Sequence, residues 1–92
     1  MDKYLVERNL PGAENLSESE LLDLAQQMVD GERQMHDGYT WIESFITEDK
    51  IYCVVFAEDV ATIRTHARVS GLPVNIISRV KTMITDPKKS PV

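Results

Sequence analysis

The sequence has one cysteine, a deficit of basic residues and no long apolar run, and each shortage excludes a class of protein. Cys53 cannot form a disulfide within the chain, and with only two histidines beside it the sequence lacks a four-ligand structural zinc site. Ten Lys and Arg residues against 15 Asp and Glu residues give a formal net charge of −5, whereas proteins that track phosphates need a clustered basic surface. We therefore expect no nucleic-acid partner.

No apolar run approaches the roughly 20 residues that span a bilayer. Met1-Asp2-Lys3 leads into a strand-like segment rather than the apolar core of a signal peptide. We therefore expect no membrane partner and a cytoplasmic location. The remaining composition, 42% apolar and 27% charged, is that of a globular protein. At 92 residues we expect one domain, residues 1–87, followed by a flexible C-terminal tail, residues 88–92.

Strand and helix patterns alternate in the first third of the chain. Residues 3–10 are rich in strand formers, and Pro11-Gly12 ends them. Ser17-Glu18-Ser19-Glu20 has the form of a capping box, after which apolar residues recur at helical spacing. Because glycine costs about 1 kcal/mol relative to alanine inside a helix, Gly31 predicts a frayed last turn over Glu32 to His36 before Gly38 ends the helix.

Two segments dense in aromatic and β-branched residues predict a β-hairpin around Glu48-Asp49. A two-residue turn there sets Thr47 opposite Lys50, and the alternation of side chains divides both strands into two faces. The face expected under the helices carries Ile42, Ser44, Ile46, Ile51, Cys53 and Val55, and the other carries Trp41, Glu43, Phe45, Tyr52, Val54 and Phe56. Because the second face is aromatic rather than polar, it predicts a partner or a ligand.

A second helix and a last strand complete the pattern. Asp59 predicts the cap of the helix, and Gly71 followed by Pro73 predicts its end. We predict one helical turn at residues 75–78 and a strand over residues 79–85. The order β-α-β-β-α-β with right-handed crossovers is the ferredoxin-like split βαβ fold. This α+β fold has one four-stranded antiparallel sheet with two helices on one face.

Four residues are candidate metal ligands: Glu7, Glu43, His66 and Cys53. A carboxylate flanked by aromatic residues, such as Glu43, needs a cation, a proton or a hydrogen bond when it is buried. We expect His66 to be half-buried at the edge of its helix stripe and Cys53 to face the helices. Salt bridges for the carboxylates and packing for His66 and Cys53 are the alternative roles. Because Glu43 and His66 belong to opposite faces, the sequence predicts two separate sites or ligands from two subunits.

Segments over nearly the whole chain resemble a family of small bacterial nickel-binding domains, in family order and at family spacing. They are Tyr4-Leu5-Val6-Glu7-Arg8, Trp41-Ile42-Glu43-Ser44-Phe45, Asp49-Lys50-Ile51-Tyr52-Cys53-Val54, Ile63-Arg64-Thr65-His66-Ala67-Arg68, Gly71-Leu72-Pro73 and Asp86-Pro87. The resemblance implies a ferredoxin-like monomer, a homodimer assembled as an α/β barrel, and nickel binding in at least some members. The chain departs from the family pattern at Glu43, where members often carry histidine, and at Glu58, where they often carry proline.

Two functions follow as hypotheses. The first is a homodimer without catalytic activity that binds a divalent metal, with nickel implied by the resemblance. The second is an enzyme or a small-molecule-binding barrel in which Glu7 or Glu43 acts as a general base. Its pocket would be lined by Trp41, Phe45, Tyr52 and Phe56. A face that serves only dimerisation is a third and simpler alternative.

Overall fold

A computed structural model describes residues 1–89 of the chain. Its elements are β1 (Asp2–Asn9), α1 (Glu18–Gln34), β2 (Tyr39–Ile46), β3 (Lys50–Ala57), α2 (Val60–Ser70) and β4 (Ile76–Arg79), with one 3-10 turn at Ala13–Asn15. The strands form an antiparallel sheet in the order β2-β3-β1-β4. The predicted ferredoxin-like α+β fold is therefore confirmed. Across this part of the chain, neither helix has the length and apolar character that crossing a membrane requires.

Both predicted helix starts are confirmed by their caps. The Ser17 hydroxyl accepts a hydrogen bond from the Glu20 amide at 3.2 Å, and the Glu20 carboxylate accepts one from the Ser17 amide at 3.0 Å. The Asp59 carboxylate accepts from the Thr62 amide at 2.8 Å. Helix α2 ends at Gly71, whose φ of 76° is left-handed and favours glycine.

Helix α1 continues through Gly31 and ends at Gln34, within the predicted last turn. A Cβ atom at Gly31 would lie 2.8 Å from both the His66 Nε2 and the Ser70 Cβ atoms of α2. Glycine therefore lets the two helices approach each other closely. This packing offsets the low helix propensity of glycine.

A β-bulge changes the predicted faces of the hairpin. The two-residue turn is confirmed, since the Thr47 amide donates to the Lys50 carbonyl at 3.0 Å, and Glu43 lies opposite Val54. The register then shifts, so that Trp41 lies opposite Val55 and Ile42 has no partner of its own. The predictions that Trp41 shares the face of Glu43 and that Ile42 lies under the helices were therefore wrong.

The last strand lies earlier than predicted. Ile76–Arg79 pair with β1, and the Val80 amide closes the pairing with a 2.8 Å hydrogen bond to the Lys3 carbonyl. The predicted helical turn at 75–78 and strand at 79–85 were wrong because Asn75 already docks on β1. The Asn75 amide donates to the Glu7 carbonyl at 2.9 Å, and its side chain accepts from the Asn9 amide at 2.7 Å.

The C-terminal segment after β4 forms no helix or strand over residues 81–86. Asp86 accepts hydrogen bonds from the Lys88 and Lys89 amides, both at 2.9 Å, in a turn. The predicted flexible tail begins at Lys88, and its residues 90–92 lie outside the described residues.

The sheet has a buried side and an open side. Both helices cover one side, where the core contains Tyr4, Val6, Met28, Tyr39, Ile51, Cys53, Val55, Ala57, Ile63 and Leu72. The opposite side, here called the open face, carries Lys3, Leu5, Glu7, Thr40, Glu43, Phe45, Tyr52, Val54, Phe56, Ile76 and Ser78. The alternation of strand side chains thus places a partly apolar surface where no element of residues 1–89 covers it.

Candidate functional site

Strand pairing arranges the open face in three rows that run across the sheet. The rows are Thr40-Phe56-Lys3, Glu43-Val54-Leu5-Ser78 and Phe45-Tyr52-Glu7-Ile76. The third row is apolar at both ends, and Phe45 is 54% exposed and Ile76 is 49% exposed. Large apolar side chains grouped in this way are typical of a surface that contacts a partner or a ligand.

Some charged groups on the open face already have a partner within residues 1–89, and Glu43 has no ion pair there. The Glu7 carboxylate lies 3.9 Å from the Lys50 ammonium, with side chains 20% and 34% exposed. The Lys3 ammonium lies 5.5 Å from the ring centroid of Phe56, a cation–π contact. Glu43 is exposed on the edge strand β2 and has no ion pair with another residue of the described chain. Glu43 is therefore the carboxylate of this face that remains available to a cation.

The two predicted carboxylate ligands share the open face but do not meet. Glu7 lies opposite Tyr52, and Glu43 lies opposite Val54 on the far side of β3. Standard strand spacing separates their Cα atoms by roughly 12 Å. One chain therefore does not join them around one ion.

Cys53 lies on the helix side, as predicted, and is fully buried. The Ser44 hydroxyl donates to its sulfur at 3.0 Å, and the Arg8 Nε donates to the same sulfur at 3.4 Å. Arg8 is itself 0% exposed, and its Nη1 donates to the Pro73 carbonyl at 2.9 Å. Its Nη2 has no partner within residues 1–89.

Sequence reasoning missed Arg8 as a member of this cluster. The signal was present, because residues 4, 6 and 8 of β1 alternate inward and the first two are Tyr4 and Val6. An arginine at the next inward position predicts a buried guanidinium. Buried arginine is rare without an anionic partner, so an arginine at this position is as informative as the histidine and the cysteine.

His66 is fully buried rather than half-buried, so that prediction was wrong. Helix α1 packs against the ring at Gly31 and covers it. The ring Nε2 lies 3.3 Å from the Met28 carbonyl oxygen. The other ring face stacks on Tyr39, with centroids 4.0 Å apart and planes 13° from parallel. Its Nδ1 has no partner among the described residues.

Burial sets the protonation of this stacked pair. Burial lowers the pKa of His66, because the charged imidazolium loses its hydration, and the positive charge of Arg8 lowers this pKa further. The hydrogen bond to the Met28 carbonyl raises the pKa of His66 by a smaller amount than burial lowers it. Burial also raises the pKa of Tyr39 well above its ordinary value. Both rings are therefore neutral near pH 7 and act as packing groups.

The four predicted ligands do not meet around one ion within a single chain. Cys53 and His66 lie on the same side of the sheet but contact different partners. Over residues 1–89, no group of three His, Cys, Asp or Glu residues lies close enough to hold a metal ion. Within this part of the chain, the side chains of one copy do not form a three-residue donor set for nickel.

The predicted aromatic pocket is divided between the two sides. Phe45, Tyr52 and Phe56 share the open face. Trp41 lies on the helix side, and its indole N–H donates to the Ser44 hydroxyl at 2.9 Å. It lines an apolar groove of about 160 Å³ between α1 and β2, together with Leu21, Leu24, Ala25, Met28, Ser44 and Ile46. This groove is here called the β2 groove.

The strand order and the two helices on one side of the sheet define a ferredoxin-like domain. The chain belongs to the family described as nickel responsive protein SCO4226-like, whose model matches residues 4–80. The predicted family resemblance is thus confirmed.

Among solved structures the chain is similar to SCO4226 from Streptomyces coelicolor A3(2), the subject of a crystal structure analysis. The TM-score is 0.73 at 14% sequence identity, and the match covers 89% of this chain and 99% of that one. At this identity the likeness supports the fold alone. No curated protein matches the chain.

Proposed function

We propose that the protein is a cytoplasmic homodimer that binds a divalent metal ion, nickel in particular, and catalyses no reaction. Membership of a family described as nickel responsive supports the choice of metal. The single observation that carries the proposal is the exposed Glu43 carboxylate on the open face, beside apolar residues that a second copy would cover. Carboxylate oxygen is an acceptable ligand for borderline divalent ions.

The open face supports dimerisation because its exposed apolar side chains would otherwise remain in water. Burial of apolar surface contributes about 25 cal/mol per Å². Two charged groups of the face are already compensated, since Glu7 is paired with Lys50 and Lys3 is placed over Phe56. The proposed metal ion would offset the cost of burying the Glu43 carboxylate. A homodimer through this face would bring ligands from two chains to the neighbourhood of Glu43.

Calorimetric titration of chelator-treated protein with nickel, zinc and cobalt tests the proposal. We expect heat of binding for the wild type, its loss in Glu43→Ala, and its retention in Glu18→Ala, which removes an exposed carboxylate from the helix side. Absence of heat in the wild type would overturn the metal proposal. Heat that persists in Glu43→Ala but disappears in Cys53→Ser or His66→Gln would move the ligands to the helix side.

A second candidate function, a dimer that binds an organic molecule or acts on one, is favoured by one observation. Phe45 and Tyr52 lie in the same row as Glu7, whose carboxylate is 20% exposed. Aromatic walls beside a partly desolvated carboxylate suit an organic ligand and a general base. Native mass spectrometry of the purified protein distinguishes the candidates: a bound organic mass without nickel heat favours the second.

A further inference from the structure

We propose that hydroperoxides oxidise the Cys53 thiol to a sulfinate, which the buried Arg8 guanidinium then binds through its Nε and Nη2 atoms. This modification lies on the helix side of the sheet and depends neither on a metal ion nor on the open face. Two observations carry it. Arg8 is a buried cation without an anionic partner among the described residues, and it already contacts the Cys53 sulfur with one of its N–H groups.

The Arg8 guanidinium has an unpaired hydrogen-bond donor next to the sulfur. Its Nε donates to the Cys53 Sγ atom at 3.4 Å, and its Nη1 donates to the Pro73 carbonyl at 2.9 Å. Nε and Nη2 lie on the same edge of the planar group, and such an edge matches the two oxygen atoms of an oxyanion. Nη2 has no partner within residues 1–89, although the Arg8 side chain is 0% exposed. The edge therefore has an acceptor for one of its two donors.

A sulfinate at Cys53 would supply both the missing acceptor and the missing charge. In the reduced protein, Arg8 contacts a thiol and a carbonyl, and a thiol sulfur is only a weak acceptor. A sulfinate carries a negative charge and two oxygen atoms on one sulfur, so each N–H group of the Nε–Nη2 edge would gain an oxygen acceptor. Because an unpaired buried charge is costly, this pairing should stabilise the folded protein.

The β2 groove brings a small oxidant close to the sulfur. Ser44 lines this groove, and its hydroxyl donates to the Cys53 Sγ atom at 3.0 Å. One side chain therefore separates the groove from the fully buried thiol. A water molecule takes up roughly 30 Å³ of liquid, and hydrogen peroxide is one oxygen atom larger, so the groove of about 160 Å³ admits it. A rotation of the Ser44 side chain would then expose the sulfur to the oxidant.

The oxidation proceeds in two steps of the same kind. In the first step the thiol loses its proton, a sulfur electron pair forms an S–O bond, and the O–O bond of the peroxide breaks. The leaving hydroxide takes up the proton and becomes water, so sulfur loses two electrons and the peroxide gains them. The Arg8 charge and the Ser44 hydroxyl favour the negative sulfur that attacks. A second peroxide converts the sulfenic acid to a sulfinic acid with release of a second water, and the sulfinic acid ionises.

Cys53 has no second thiol with which its sulfenic acid could react. It is the single cysteine of the chain, and it is fully buried. A disulfide within the chain is therefore impossible, and burial prevents one between two copies. A sulfenic acid without a resolving thiol is oxidised further while peroxide remains. The sulfinate is therefore the expected product.

Treatment of the folded, chelator-treated protein with hydrogen peroxide tests the modification. Peptide mass mapping should find two added oxygen atoms on Cys53, and the midpoint of thermal unfolding should rise by at least about 4 °C. In Arg8→Met, which lacks the guanidinium, the same modification should lower the midpoint. Cys53→Ser, treated in parallel, measures the effect of oxidation at other residues.

Three outcomes of the peroxide experiment would overturn the proposal. The first is oxidation of Met28, which also lines the β2 groove, without oxidation of Cys53. The second is oxidation of Cys53 only after the protein has been unfolded in urea. The third is a lower unfolding midpoint for the oxidised wild type once the change in Cys53→Ser has been subtracted. None of them depends on whether the protein binds nickel.

Substitutions at Cys53 supply a second measurement without peroxide. Cys53→Asp introduces a carboxylate with roughly the shape and charge of a sulfinate, and Cys53→Asn introduces the same shape without the charge. With Arg8 present, Cys53→Asp should have the higher unfolding midpoint. In Arg8→Met the order should reverse, because the carboxylate then has no partner. A higher midpoint for Cys53→Asn beside Arg8, or the same order in both backgrounds, contradicts the proposal. If neither substituted protein folds, the oxidised wild type decides the question.

Discussion

Arg8 and Cys53 lie side by side in the core, with the guanidinium Nε donating to the thiol sulfur over 3.4 Å. Both side chains are 0% exposed, and no carboxylate forms an ion pair with Arg8 within residues 1–89. Its Nη1 donates to the Pro73 carbonyl, and its Nη2 has no hydrogen-bond partner among the described residues. A buried charge with neutral partners costs several kcal/mol of desolvation. The buried Arg8 charge therefore makes the folded protein less stable than it would be with an apolar side chain of the same size at this position.

The first prediction follows from this cost. Arg8→Met, of similar length and without the charge, should leave the free energy of unfolding unchanged or raise it by about 1 kcal/mol. Arg8→Ala should lower it by about 3 kcal/mol, because it leaves a cavity as well. Urea unfolding of the three proteins measures both effects. A loss above about 3 kcal/mol in Arg8→Met would show that an anionic group compensates the guanidinium in the folded protein.

The second prediction concerns pH and His66. Because burial lowers the pKa of His66 in the folded chain, the unfolded chain binds the proton more readily once the pH falls below about 6.5. Stability is therefore fully present above that pH and decreases as the pH falls towards the folded pKa, with a slope of at most about 1.4 kcal/mol per pH unit. His66→Phe, which keeps a ring against Tyr39, should flatten this slope.

Exposed His36 provides the control for the pH series. Unfolding free energies of wild type, His66→Phe and His36→Gln are measured by urea titration from pH 7.5 to about 5, above the range in which ordinary carboxylates titrate. His36→Gln should keep the wild-type slope. Equal slopes in wild type and His66→Phe would mean that the buried ring does not control acid stability.

Much of the fold was predictable from the sequence because its signals are local. The capping residues Ser17 and Asp59, the turn at Glu48-Asp49 and the apolar patterns depend on neighbours a few positions apart. The placement of Glu43 on the open face followed from a hairpin register counted outward from that turn. Up to that residue, strict alternation holds.

The rest could not be predicted because it depends on contacts between distant parts of the chain. The extra residue at Ile42 places Trp41 on the helix side of the sheet instead of the open face. Strict alternation of strand side chains cannot predict such a bulge. Arg8 and Cys53 are 45 positions apart, and His66 and Met28 are 38 apart. The early start of β4 depends on Asn75 docking against β1 rather than on its own residues.

The third prediction tests the helix contact at Gly31. Gly31→Ala gains about 1 kcal/mol of helix propensity, but its Cβ would lie 2.8 Å from His66 Nε2 and Ser70 Cβ. Separating the helices should cost about 2 to 3 kcal/mol, so the net result is a loss of stability. Thermal and urea unfolding measure it. Ser70→Gly in the same chain removes one of the two clashes and should recover part of the loss. A more stable Gly31→Ala protein would contradict a tight helix contact.

The fourth prediction separates the open face from the helix side as a dimer surface. Phe45 is 54% exposed on the open face, and Leu22 is 67% exposed on α1, so the two offer a matched pair of exposed apolar residues on opposite sides. Phe45→Asp would place a carboxylate inside the proposed interface, where loss of an aromatic anchor costs about 2 to 4 kcal/mol. We expect its dimer dissociation constant to rise at least about 30-fold.

Leu22→Asp is the control, and it should remain dimeric with unchanged affinity. Size-exclusion chromatography with light scattering over a dilution series measures the dissociation constants, and circular dichroism confirms that both variants are folded. If Phe45→Asp stays dimeric while Leu22→Asp dissociates, the helices and not the sheet form the interface. The open face would then not contact a second copy. Because Glu43 lies on that same face, its metal site would lose the second set of ligands on which the proposed function depends.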